Sequence, residues 1–200
     1  MIDRRILLGQ LLVAPFALAE TLKGTPSQTA GPFYPIDKPL DKDADLTRVR
    51  GRGQVAKGQI AYLSGRILDV NGRPIEGARV EIWQANANGR YAHPYDRSRV
   101  PLDPNFQGFG VELTDAQGRY RFKTIKPGAY ESRTPHIHVD IATPNRKLTT
   151  QMYFPGEPLN DEDSILRSTR FGETLIAKAA QATEDVEPGA LVLRWDAVLA

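Results

Sequence analysis

Two of the chain's three histidines, His136 and His138, stand two residues apart in the run HIHVDIA; the third is His93. On a β-strand, residues i and i+2 share a face. Both imidazoles therefore project together while Ile137 turns the other way, into a core. At a strand rise of about 3.3 Å per residue their Cα atoms are about 7 Å apart, close enough for two nitrogens to converge on one metal ion. The remaining donors decide which metal. There is no cysteine, which excludes thiolate catalysis, disulfides and every Cys-based metal site. A carboxylate would complete the two-histidine, one-carboxylate arrangement of non-haem Fe(II), and Asp140 continues the alternation. Two tyrosines offer another answer. Tyr91 follows Asn88-Gly89, and Tyr130 follows Pro127-Gly128 just ahead of the histidine strand. Tyrosinate is a hard anionic donor that ligates ferric iron, and two phenolates with two imidazoles would hold Fe(III) against reduction.

Such donors need a rigid frame, and the pattern around them is that of strands. QIAYLSGRILDV (59–70) ends at Asn71-Gly72, a hairpin-type turn signal. ARVEIWQA (78–85) and RYRFKTI (119–125) alternate in character, and Pro127-Gly128 closes the second. HIHVDIA (136–142), KLTTQMYF (147–154) and ALVLRWDAVL (190–199) complete the set. Short strands between Gly, Pro and Asn turns predict an all-β sandwich of largely antiparallel strands with long loops. One helix is expected near 161–168, and HPYDRSRVPLDPNFQGFG (93–110) reads as a long loop.

The sandwich is expected over 57–200. Residues 20–56, rich in Pro, Gly, Asp and Lys, read as an extended N-terminal arm that wraps it. Residues 1–19 read as an export signal: Arg4 and Arg5, an apolar run from Ile6 to Leu18, and the small-x-small site Ala17-Leu18-Ala19. The paired arginines resemble a twin-arginine signal. The run falls short of the ~20 residues a permanent span needs, so no stable membrane anchor is expected. The expected location is periplasmic or secreted. A net charge of +2 gives no argument for nucleic acid.

Four segments, ARVEIWQANANGRYAHP, TDAQGRYRFKTIKPGAY, RTPHIHVDI and LTTQMYFPGEP, together resemble the intradiol ring-cleavage dioxygenases, closest to their protocatechuate 3,4-dioxygenase branch. TPSQTAGPFYP (25–35) resembles the N-terminal arm of that branch. The resemblance implies a mostly β sandwich and one ferric iron held by Tyr91, Tyr130, His136 and His138. It implies that Tyr130 and His138 are axial, and that Arg133 and Gln151 stand near the substrate. The activity implied is insertion of both atoms of O2 into a catechol, with cleavage between the two hydroxyl-bearing carbons to a muconate-type diacid. Tyr130 would take up a substrate proton, and Arg133 would stabilise anionic charge on the ring. Gly31 and Pro32 of the arm would line the substrate pocket. His93 is expected at the pocket rim, and Asp140 in a structural role once the tyrosines are ligands.

Two departures stand out. Only Glu131 and Ser132 separate Tyr130 from Arg133, fewer residues than in the resembling iron-bearing subunit, which opens the substrate question to catechol, protocatechuate or bulkier catechols. One chain also carries both the ligand set and the arm, which suggests an oligomer of identical chains. The rival reading is a non-catalytic extracellular β-sandwich binding module, which GRILDVNGRPIEGARVEIW taken alone would fit.

Overall fold

The computed structural model describes residues 21–200; the export-signal reading falls on residues outside these. In chain order come β1 (Ile60–Asp69), β2 (Arg79–Trp83), β3 (Phe109–Leu113), β4 (Arg119–Ile125), β5 (His136–Ala142), β6 (Lys147–Tyr153), the short helix α1 (Ser164–Ser168), β7 (Lys178–Ala179), β8 (Leu191–Arg194) and β9 (Ala197–Leu199). One sheet has the order β4-β1-β8-β7, with β9 also paired to β1; the other has the order β3-β2-β5-β6. All pairs are antiparallel except β8 and β9, which run parallel to β1. Ile67 and Phe122 from one sheet pack with Val80, Ile82, Ile137 and Ile141 from the other in a single buried cluster. Each such side chain contributes about 1.5–3 kcal/mol on full burial. This is the all-β sandwich that the strand pattern predicts.

The second sheet is buried on both faces. Ile137, Val139 and Ile141 point into the sandwich, while His136, His138 and Asp140 point the other way and are also buried. The cover is the arm, which over its described residues 21–56 holds no strand and a single isolated bridge at Asp45. It is tied down along its length: Leu22 N donates to Val70 O (2.7 Å), Gln28 N to Thr149 O (2.9 Å), and Val111 N to Lys42 O (2.9 Å). Tyr34 Oη donates to Glu81 Oε2 (2.7 Å) and Lys38 Nζ pairs with Glu81 Oε1 (2.6 Å), so the arm joins Arg79 of β2 itself in satisfying this buried carboxylate.

Two expectations are corrected. The segment 190–199 is not one strand but β8 and β9, broken at Trp195-Asp196. The Trp195 carbonyl turns inward to accept from Tyr120 Oη (2.7 Å), and a Cβ on Gly65 would sit 1.7 Å from it, so only glycine fits there. The long loop also ends earlier than predicted: Phe109 and Gly110 already belong to β3, paired to Trp83 and Ile82. A loop reading missed this because β3 is an edge strand with little alternation. Among the described residues, no helix is long and apolar enough to cross a membrane.

Candidate metal centre and active site

The register of β5 builds the site. His138 lies opposite Trp83 on β2 and Gln151 on β6, and His136 lies opposite Tyr153. The two imidazoles approach with Nε2 atoms 3.3 Å apart. Tyr130 Oη is 3.1 Å from His136 Nε2, and Tyr91 Oη is 3.4 Å from Tyr130 Oη. Four donor atoms from a turn, a loop and one strand thus lie in a continuous chain of contacts. Bonds of about 2.0–2.2 Å to N and O put adjacent ligands about 3 Å apart, so the spacing fits one first-row ion.

The chemistry of the donors fits as well. His136 Nδ1 donates to Thr134 O (2.7 Å), which leaves Nε2 as the lone-pair nitrogen facing the other donors. Burial pushes His136 down to about 4 and His138 well below its ordinary value, so both imidazoles are neutral, the form a metal ion would bind. Burial raises both Tyr91 and Tyr130. The phenols are therefore protonated unless a cation offsets that cost, and a bound metal ion inverts the balance. The carboxylate alternative is not assembled. Asp140 accepts from Thr149 Oγ1 (2.6 Å) and pairs with Lys147 Nζ (3.4 Å). Among the described residues, no group of three His, Cys, Asp or Glu side chains could hold a metal.

The two tyrosines are held differently. Tyr91 is buried, its N–H donates to Asp96 Oδ2 (2.8 Å), and its ring stacks on Phe33 of the arm at 4.6 Å. Tyr130 is half-buried, in a tight turn closed by Arg133 N donating to Tyr130 O (2.9 Å). Glu131 in that turn has φ 51°, and it and Ser132 are exposed. His138 is fixed from behind by Trp83, whose ring stacks on it at 4.9 Å with planes 8° apart.

Arg133 stands beside this cluster with its guanidinium held on three sides. Nε donates to Asp163 Oδ2 (2.8 Å); Nη2 donates to Gln151 Oε1 (2.6 Å) and to Tyr153 Oη (3.2 Å). Gln151 Nε2 donates to Thr29 O of the arm (3.0 Å). Gly31, at φ +67°, is the arm's closest approach to the donors: a Cβ there would lie 3.2 Å from His138 Cε1. Pro32 beside it is exposed. His93 lies outside the chain of donors, edge-on to Phe33 at 5.7 Å, with Nδ1 accepting from Tyr95 N (3.2 Å).

Sequence reasoning missed Asp163, Trp83 and Tyr153 as parts of this site. Asp163 caps α1, accepting from Ile165 N and Leu166 N, and also takes Thr134 N and Arg133 Nε. An Asp just ahead of a short helical segment was the legible signal for the cap; its pairing with Arg133, 30 residues away, was not.

The family model described as "Dioxygenase" matches residues 29–200. The chain belongs to the intradiol ring-cleavage dioxygenases, oxidoreductases of class EC 1.13.11. It is 41% identical over 179 residues to the protocatechuate 3,4-dioxygenase beta chain of Burkholderia cepacia, covering 84% of this chain and 76% of that one. It is 32% identical to the catechol 1,2-dioxygenase of Acinetobacter baylyi, covering 80% of this chain but 55% of the longer relative. Among solved structures, the dioxygenase domain of a dioxygenase–carbohydrate-binding fusion from Streptomyces sp. SirexAA-E matches with a TM-score of 0.69 and 30% identity, over 88% of this chain and 98% of that one. The family assignment sets aside the binding-module reading.

Proposed function

We propose that this chain is a ferric-iron dioxygenase that cleaves a catechol between its two hydroxyl-bearing carbons, with Tyr91, Tyr130, His136 and His138 as the iron ligands. The observation that carries the reading is the 3.1–3.4 Å chain of contacts linking those four donor atoms. Ferric iron would supply the Lewis acidity that ionises the phenols and readies a bound catechol for attack by O2.

The chain's own residues divide the remaining work. Tyr130 is the exchangeable phenol: half-buried and carried on a short turn, it has an Oη that can receive a proton from an entering catechol hydroxyl. Tyr91, buried and stacked, stays in place. Arg133 presents a cation held by Asp163, Gln151 and Tyr153, so no reorganisation is needed when charge builds on the ring. Gly31 brings backbone next to His138 and leaves space that a side chain would fill. Pro32 and the exposed Glu131-Ser132 turn form the more open rim. Catechol, protocatechuate and larger substituted catechols are the substrate class.

The test is conversion of catechol under 18O2. The reading predicts a diacid carrying one labelled oxygen in each new carboxyl group. An aldehyde-acid product, from cleavage beside rather than between the hydroxyl carbons, would contradict it. We further propose that the chain is exported through the signal in residues 1–19 and assembles with identical copies. Arg4→Lys with Arg5→Lys should hold the protein in the cytoplasm, and unchanged export would point to the general secretory route. Light scattering of the purified chain reads the assembly, and a monomer would contradict it.

A further inference from the structure

A half-open cavity of about 130 Å³ lies behind Tyr91, walled by the rings of Phe33, Trp83, Tyr91, His93 and Phe109 and by Gln107. None of Tyr130, Arg133, His136 or Gln151 lines it, so it is separate from the side on which a catechol would meet the candidate ligands. Three of its lining residues carry a buried polar atom with no hydrogen-bond partner among the described residues: Trp83 Nε1, His93 Nε2 and Gln107 Oε1. Buried polar atoms are nearly always paired, so three orphans on residues that line one cavity point to a polar partner there. Their roles are fixed by what their neighbours do. His93 Nδ1 accepts from Tyr95 N, so the ring proton is on Nε2, a donor. Gln107 Nε2 donates to Asp43 O and Phe109 O, so its oxygen is the free acceptor. The indole N–H of Trp83 is a donor only. Two donors and one acceptor are the complement of a single hydroxyl group, and the aromatic walls are the complement of a ring.

We propose that this cavity is a second binding site, for a neutral phenol-type molecule. The proposal goes beyond the ferric reading and stands without it. The size agrees: an apolar cavity of roughly 150 Å³ accepts benzene. The charge selects neutral over anionic rings, because no Lys or Arg lines the cavity and Asp37 does. A phenol seated here would press on Tyr91 and on Trp83, the ring that backs His138, so its occupancy would be felt at the candidate ligands.

The test uses the full chain. Crystals soaked in 4-bromophenol and measured at the bromine edge should show a bromine peak in the cavity, with its ring against the aromatic side chains that wall it. Calorimetry with phenol should give saturable binding in solution that benzoate does not match. His93→Phe keeps a ring at this half-exposed loop position but removes the donor, and should weaken phenol binding by about tenfold. Asp37→Lys, an exposed change that leaves the core untouched, should let benzoate bind. A bromine peak only beside Tyr130 and His136, a cavity holding only water after soaking, or phenol affinity indifferent to His93→Phe would each overturn the proposal.

Discussion

Tyr130 Oη lies 3.1 Å from His136 Nε2, although a turn with the exposed Glu131 and Ser132 at its centre carries the tyrosine and a fully buried strand carries the histidine. The contact joins the most accessible of the four donors to one of the least accessible. Tyr91 is pinned by its backbone and by Phe33 while Tyr130 is half-buried, which is the basis for proposing separate tasks for the two phenols.

Tyr130→Phe should therefore cost turnover far more than folding. With the proton acceptor removed, kcat on catechol should fall by about 10²–10⁴, the usual worth of a positioned acid or base. Thermal unfolding should shift little. Steady-state kinetics beside a melting curve checks both, and a variant with near-normal kcat would remove Tyr130 from the proton path.

Asp163 is the anchor of Arg133, and both side chains are nearly inaccessible, at 0% and 12% exposure. Burial alone would raise the Asp163 carboxyl, but Arg133 and the N–H groups of Leu166 and Thr134 outweigh it and hold it below 3.8. Asp163→Asn should cost about 3 kcal/mol at neutral pH, because it leaves a buried guanidinium unpaired. A group whose folded value is depressed stabilises above its unfolded value and stops doing so as pH falls through the folded one. The gap between wild type and variant should thus be full above pH 3.8 and close below it. Chemical denaturation across that range reads it. In the same variant, kcat/KM should drop even where the fold is fully populated.

The metal-free chain should lose stability on mild acidification. His136 titrates at about 4 when folded against 6.5 when free, and His138 shifts the same way. Between these values the unfolded chain binds more protons, so stability falls as pH drops from 6.5 toward 4, by about 3 kcal/mol for His136 alone. Urea titrations at the two ends of that window measure it, and His136→Gln should flatten the response. Equal stability at both ends would mean that the imidazoles are not buried neutral.

How much of this was legible beforehand follows the physics of each residue. The parity of His136 and His138 is local, fixed by strand geometry, and β5 has the span its pattern predicts. The tyrosines were legible as turn-placed donors, yet their meeting with β5 depends on the whole sandwich. What could not be read was non-local: Asp163 reaching Arg133, Trp83 backing His138, and the arm covering Glu81. The break at Trp195 was hidden because LVLR and AVL are both good strand sequences, and only the fit of a carbonyl against Gly65 divides them.

Substrate breadth follows from the two-residue turn between Tyr130 and Arg133. With only the exposed Glu131 and Ser132 on that side of the rim, apolar contact with small rings is given up, at about 25 cal/mol per Å², and few substituents are excluded. Catechol, protocatechuate and bulkier catechols should be cleaved with kcat/KM values within about two decades, or ~2.7 kcal/mol. A preference beyond a thousandfold would show that the arm near Pro32 closes the pocket.

The most direct measurement of the central claim is the visible spectrum of the iron-loaded chain, with metal analysis on the same sample. Two phenolates on ferric iron predict a burgundy protein with about one iron per chain and a tyrosinate-to-Fe(III) charge-transfer band. Phenylalanine at position 91 or 130 should weaken and shift that band, and a catechol should change it on binding. A colourless chain fully loaded with iron, or one whose spectrum is the same with Tyr91→Phe and Tyr130→Phe, would contradict the account.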